Sequence, residues 1–421
     1  MSDVRQPALA AADAVAASVS LFNEDVDGAT SLGSERDQAW LLTKHSVPTA
    51  VLKVSHAAED AAALDMECAA VAHALTVDAS IPLVLPKLAR DGLRRALWTQ
   101  GEERHWARCY AFVDGVVLDV VDGPISDALL VEWGKLSARL SRSLRSFSHA
   151  SSHRPPSFAW DLRHAETALR PLVGSMSDPQ LKSLCLATLA GATARLACVL
   201  PTLRHQFTHA DLHPGNVLVD AATRGAVVGV VDFGDCQHCS LVSDVAASLS
   251  NLANGAVAAF ASSESEGDST AEGDAPSPLL LELRRAARLF LDGYTSVTPL
   301  EQGELEALPD AWMARCVAEI SIASHRISAG LEPADRSGPG VSLFASQLRA
   351  LASLDGAQRR AFAAAPGPLP PPSLRDAPAK GGGGPDERGD GDALARLLAR
   401  REAAIGARAL SVMPFLFLSS V

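Results

Sequence analysis

Apolar residues come in short blocks separated by turn-forming residues through the first hundred or so positions. From about residue 127 they recur at helical intervals instead. The short blocks at 40–42, 50–54, 96–100 and 106–113 predict antiparallel strands. Residues 7–22 predict an amphipathic first helix. Residues 58–75 predict another, with Leu64, Ala69, Val71 and Leu75 near one face. The later periodicity predicts long helices over 127–144, 163–173, 178–200, 243–254, 278–295 and 310–328. Two short apolar runs, 207–219 and 226–231, surround polar residues as a hairpin would. The expected fold is α+β with two lobes: a small antiparallel β-sheet lobe with one helix besides the N-terminal one, then a larger, mostly helical lobe. A cleft should lie between them.

The expected boundaries are 1–113 for the first lobe and 114–360 for the second. Residues 262–277 form a Ser/Glu/Gly/Asp-rich insertion that reads as disordered, 361–392 a Pro/Gly-rich linker, and 393–421 a terminal tail helix. No internal repeat is visible.

Composition narrows the partners. The 421-residue chain has a formal net charge of −12. An acidic surface repels phosphate backbones, which argues against nucleic acid and suits a cationic ligand. The seven cysteines (Cys68, Cys109, Cys185, Cys198, Cys236, Cys239 and Cys316) are odd in number and irregularly spaced. That pattern argues against a disulfide framework and for a reducing, cytoplasmic setting. Asp13 interrupts the first apolar run, and the apolar residues 409–421 are too few to span a bilayer, so neither a signal peptide nor a membrane helix is expected.

The chemistry is concentrated in two stretches. Residues 207–219 read Phe-Thr-His-Ala-Asp-Leu-His-Pro-Gly-Asn-Val-Leu-Val, and residues 228–235 read Val-Gly-Val-Val-Asp-Phe-Gly-Asp. Phosphoryl transfer needs a carboxylate to orient and deprotonate the attacking hydroxyl, oxygen ligands for Mg²⁺, and a cation on the phosphates. Asp211 fits the base. Asn216, five residues on across a tight Pro-Gly loop, and Asp232, at the end of an apolar strand, offer the mixed neutral and anionic oxygen shell that Mg²⁺ prefers. Asx residues also build plain turns, but a turn does not explain the second Asp at a strand end.

These two stretches resemble the aminoglycoside phosphotransferase and choline kinase-like superfamily, distant relatives of protein kinases. That family carries a His-Gly-Asp-x-x-x-x-Asn loop and an Asp-Phe-Gly-like metal motif. Position 210 here is Ala instead of Gly, which matters if the backbone there needs positive φ. The resemblance implies a nucleotide-gripping lysine on a strand, for which Lys53 is placed between Leu52 and Val54. It also implies a glutamate on the next helix, Glu67, ion-paired to that lysine; Asp65 is the poorer partner. A phosphate-covering loop would lie at 33–38, with Ser34 and Arg36, although it is not glycine-rich. The hinge for the purine base would lie at 110–113, with Tyr110 and Phe112. Residues 33–38, 51–54, 57–60, 64–67, 160–163, 231–235 and 293–297 look like the hydroxylysine kinase branch. That likeness implies Mg²⁺, GTP or ATP as donor, and 5-hydroxylysine or a related hydroxylated amine as acceptor. In some relatives the kinase is linked to a pyridoxal-phosphate-dependent phospho-lyase, and residues 397–406 resemble the start of such a domain.

A substrate with ammonium groups and a carboxylate calls for acids and a cation. Asp235, Asp161 and Glu319 are the candidate acids, Arg163 and Arg326 the candidate cations, and Asp244 is expected to brace the loop from a helix N-terminus. Three alternatives stay open. One is a kinase for another amino alcohol or an aminoglycoside. Another is a metal-binding module built on Cys236-Gln237-His238-Cys239 with the nearby histidines. The third is a non-catalytic pseudokinase.

Overall fold

A computed structural model describes residues 7–32, 37–118, 125–264, 277–332 and 334–364. Ser34, Arg36, most of the 262–277 insertion, and the expected linker and tail beyond 364 lie outside the described residues.

The chain opens with α1 (Ala11–Phe22), then β1 (Gly28–Ser31), β2 (Gln38–Lys44), β3 (Val47–Val54), α2 (Ala61–Val77), β4 (Ala96–Gln100) and β5 (Glu103–Ala111). The five strands form one antiparallel sheet in the order β1-β2-β3-β5-β4. Strands β2 and β3 are joined through His45 and Ser46, both at positive φ (49° and 65°). Two consecutive positive-φ residues match the right-handed twist of a hairpin. Alternation then sorts the side chains. Leu42, Ala50, Leu52, Val54, Ala107 and Cys109 are fully buried in a cluster with Ala14, Ala17 and Phe22 of α1. Lys53 alternates to the opposite side, and the β3–β5 register sets it directly across from Arg108.

After β6 (Val116–Val117) come α3 (Asp127–Leu144), α4 (Ala165–Ser175), α5 (Pro179–Val199), β7 (His205–Thr208), β8 (Val217–Val219), β9 (Val227–Val230), β10 (Gln237–Ser240), α6 (Leu241–Glu264), α7 (Pro278–Val297), α8 (Gln302–Ser328), α9 (Ala334–Ala352) and α10 (Gly356–Ala364). The core of this lobe also takes in Met66, Ala70, Val71 and Ala74 of α2. Gly134 of α3 and Gly293 of α7 let two backbones touch: a Cβ on the first would run into Phe290 O, and one on the second into Val131 O. By length and composition Pro179–Thr202, with a mean hydropathy of 1.7, would suffice to cross a membrane. Here Leu181, Cys185, Leu189, Ala192 and Leu196 are buried, and Arg195 Nε binds Asp310 Oδ2 of α8 at 2.9 Å.

Two small sheets position the chemistry. Strand β7 pairs with β10, and β8 pairs with both β6 and β9. The chain therefore crosses between these ribbons twice, at 209–216 and at 231–236. A hydrogen bond from Val231 N to Asn216 O (2.9 Å) ties the two crossings together. Strands β1, β6 and β10 and helices α9 and α10 were not anticipated.

Candidate active site

The loop after β7 is shaped by its own polar groups. Asp211 N donates to His209 Nδ1 (3.3 Å), and Gly215 N donates to His213 Nδ1 (3.0 Å). Accepting at Nδ1 leaves each neutral ring's proton on Nε2, and His213 Nε2 lies 3.3 Å from Asp211 Oδ2. Burial holds His209 below the ordinary histidine range. Asp244, in the first turn of α6, accepts from Ala210 N at 2.8 Å, so it braces the loop as expected. Its carboxyl is pushed up to about 6 by burial. Ala210 has φ 64°. The Gly-to-Ala departure therefore falls where a side chain is strained, at a cost of roughly 1–2 kcal/mol.

Asp211 is 1% exposed. Asn216 Nδ2 donates to Asp211 O (2.9 Å) and Oδ2 (2.8 Å), and Arg315 Nη2 donates to Oδ1 (2.8 Å). Two acceptors facing one Asn216 atom identify that atom as nitrogen. The amide oxygen is thereby turned away and receives no donor among the described residues. Asp232 has φ 60°, and its Oδ1 accepts from Gly234 N at 3.1 Å. Its Oδ2 lies 3.1 Å from Lys53 Nζ, which also lies 3.4 Å from Asp37 Oδ2. Burial raises the Asp232 carboxyl, but Lys53, the Gly234 N–H and Arg108 together outweigh it and hold it below the usual carboxylate range. Burial likewise lowers Lys53, and Asp232 and Asp37 outweigh it to raise it. Asn216 and Asp232 together present hard oxygen donors, a set that fits Mg²⁺ and suits a soft or nitrogen-seeking metal poorly.

Several expectations need correction. Lys53 and Glu67 do not form an ion pair, because Arg108, across from Lys53 on β5, reaches Glu67 and takes its carboxylate. Asp65 is bound by Arg95 at 2.7 Å. Asp161 caps the turn after it by accepting from Arg163 N (3.0 Å), and its carboxylate also binds the Arg163 guanidinium (2.6 Å). The two candidates thus neutralise each other, and Arg163 lines a separate cavity of about 720 Å³ beside α4 and α5. Glu319 accepts from Arg315 Nε (2.9 Å) and Asn251 Nδ2 (3.2 Å), which makes it a support for Arg315. Arg326 pairs with Glu332 at 3.2 Å.

Asp235 remains. It is 3% exposed, and its Oδ2 has no hydrogen-bond partner. Its carboxyl is pushed up to about 7 by burial and then by Asp211. Arg154, not anticipated, donates to Gly234 O and to Cys236 O (3.0 Å), fixing the backbone around it. Tyr110 shares a narrow cleft with Glu67, Arg108 and Asp232, and burial raises its phenol. Phe112 spends its N–H on Thr49 O at 3.2 Å.

Among the described residues the cysteine pair is not gathered with a third ligand atom. Cys236 lies in the turn before β10 and Cys239 within β10. Both are buried, and Cys239 Sγ lies 3.1 Å from Thr208 Oγ1. Among the described residues, the group of potential ligand atoms within 4.8 Å is Asp37, His56 and Glu59. Asp37 there already faces Lys53, and His56 Nε2 lies 2.9 Å from Glu59 Oε2.

Arg108 and Arg315, like Arg154, are site residues that motif reading missed. A faint signal existed for Arg315. It stands four residues before Glu319 inside an otherwise apolar helical run, where an unpaired charge would be prohibitive.

Comparison with known proteins bears on this arrangement. Residues 29–281 match the model of a family described as "Phosphotransferase enzyme family". Among solved structures, the chain is similar to an amicoumacin kinase in complex with AMP-PNP, Ca²⁺ and Ami (TM-score 0.55, 17% identity, covering 78% of this chain and 91% of that one). It is also similar to a microcompartment-associated aminopropanol kinase (0.52, 17%, 83% and 96%). A third is an aminoglycoside phosphotransferase from Alicyclobacillus acidocaldarius (0.53, 14%, 85% and 97%). At these identities the likeness establishes the two-lobe, protein kinase-like fold. The search of curated protein sequences returns no significant match.

Proposed function

The chain belongs to the phosphotransferase enzyme family, and from that premise we propose that it moves the γ-phosphoryl group of GTP or ATP onto a hydroxyl of a small amine, 5-hydroxy-L-lysine being the first candidate. One observation carries this reading: an unbroken run of contacts from Lys53 to Asp232, across the Val231–Asn216 hydrogen bond, and on to Asp211. The similar structures of an amicoumacin kinase with a nucleotide analogue and of an aminopropanol kinase favour a nucleotide donor and an amino-alcohol acceptor.

In this reading Asp211 accepts the proton of the attacking hydroxyl, and Lys53 neutralises phosphate oxygens as the transition state spreads charge over them. Asn216 and Asp232 would hold Mg²⁺, which when bound offsets charge on the phosphates. Glu67 acts at one remove, by holding Arg108 beside Lys53. Transfer to a hydroxyl makes a phosphate ester, a good leaving group for an elimination. A pyridoxal-phosphate-dependent lyase would therefore be a chemically suited consumer of the product.

The direct test is a screen of 5-hydroxy-L-lysine, ethanolamine, choline, homoserine and aminoglycosides with ATP and GTP. Phosphate on hydroxylysine is the expected result. Incorporation into an aminoglycoside alone would reject the hydroxylysine assignment.

Asp235 is the acid assigned to the substrate ammonium. An amine stays charged between pH 6 and 8, while a carboxyl near 7 does not. KM for the acceptor should rise several-fold as pH falls from 8 to 6 and Asp235 takes up a proton, and Asp235→Asn should flatten the profile. The same raised pKa means Asp235 favours the folded state when protonated, so its contribution to stability is lost as pH climbs from about 4 through 7. A pH-independent KM in the unaltered protein would remove Asp235 from the acceptor site.

A further inference from the structure

We propose that Arg315 is a positioning residue that locks the Asp211 carboxylate in the orientation needed to meet the acceptor hydroxyl. The inference rests on the reading of Asp211 as base.

Arg315 lies in the buried middle of α8 and is 3% exposed. Three separate elements fix its guanidinium. Its Nε donates to Glu319 Oε1 (2.9 Å) one turn along α8. Its Cζ lies 3.9 Å from the centroid of the Trp160 ring, in the segment before α4. Its Nη2 donates to Asp211 Oδ1 (2.8 Å), 104 residues away in sequence. Glu319 is itself held by Asn251 of α6. One edge of a rigid fork therefore addresses two carboxylates, and neither end is left to a mobile partner.

Packing alone does not account for this. Burying a guanidinium and two carboxylates costs several kcal/mol per ion, and an apolar residue of similar volume often serves stability as well. What the arrangement does achieve is directional. Arg315 holds one oxygen of Asp211 and Asn216 holds the other. Rotation of the carboxylate about its last bond is thereby blocked. Displacing a reacting group by about 1 Å can cost on the order of 10²-fold in rate.

The experiment uses the full-length chain carrying Arg315→Met, Arg315→Lys or Glu319→Gln, with Asp211→Asn as control. Turnover is measured with Mg·GTP and Mg·ATP, with 5-hydroxy-L-lysine as acceptor and also without acceptor as slow hydrolysis. Nucleotide affinity and thermal midpoint are measured alongside. Arg315→Met should lower kcat about 10²-fold while nucleotide KM and affinity stay within about twofold. Arg315→Lys, which keeps the charge, should recover part of the loss, and Glu319→Gln should lose several-fold. Should the Met variant not fold, the Lys and Gln variants carry the same test. Wild-type kcat in both, or equal losses of kcat and nucleotide affinity, would overturn the inference. Full turnover in Asp211→Asn would instead remove the reading beneath it. An inactive Asp211→Asn with fully active Arg315 and Glu319 variants would reject the positioning role alone.

Discussion

Asp211→Asn should lower kcat by about 10³-fold while leaving nucleotide affinity within about twofold. An amide keeps the shape of the carboxylate and can still accept from Arg315, but it cannot take the proton of an attacking hydroxyl. General-base catalysis typically supplies 10²–10⁴-fold. Nucleotide affinity should survive because the Lys53–Asp232 contact lies on the other loop and does not involve Asp211. The substitution leaves Arg315 with Glu319 as its remaining ionic partner, so a modest fall in thermal midpoint should accompany the loss of rate. Unchanged turnover would exclude Asp211 as the base.

The largest stability effect should come from Arg108→Met. Arg108 is 3% exposed, and Glu67, its partner on α2, is 7% exposed. Removing one member of a buried pair strands the other, at about 3–5 kcal/mol. For a protein of this size that corresponds to a drop of about 5 °C in thermal midpoint. The effect carries a pH signature. Burial already raises the Glu67 carboxyl, and Arg108 is the main group pulling it down. Without Arg108 the folded-state pKa rises further above its unfolded value, so the variant should recover stability as pH is lowered from 8 to 6. A deficit independent of pH would indicate lost packing instead of a stranded charge. Double substitution Arg108→Met with Glu67→Leu should restore much of the midpoint, because the charge and its partner then leave together.

Arg108 and Arg315 mark where sequence reading reached its limit. The loop containing His209, Asp211 and Asn216 was legible because its chemistry is local: five residues and a Pro-Gly turn suffice to bring two side chains together. Helix α3 was read to the residue, its apolar period being bounded by the Ser126 cap. Arg108 was not legible, because only the β3–β5 register reveals that it faces Lys53. Arg315 was hidden for the same reason, with its partner 104 positions upstream. Helix α8 was expected to begin after Pro309, yet it starts at Gln302 and carries that proline through a buried stretch. A proline weakens a helix locally, and tertiary burial overrode that cost here. Strand β10 was not legible because four residues, Gln237–Ser240, are too few to show a strand period, and its Cys and His suit ligation as well as pairing. The strain at Ala210 depends on a backbone angle that sequence does not display, and its φ of 64° settles the point.

The distribution of the seven thiols has a practical corollary. Six are enclosed, and burial suppresses thiolate formation at Cys68, Cys109, Cys185, Cys236, Cys239 and Cys316. Cys198, on the outer side of α5, is open to solvent. A maleimide fluorophore or spin label thus has one ready attachment point on the folded chain. A probe placed there can follow the working enzyme without first engineering the other sulfurs away.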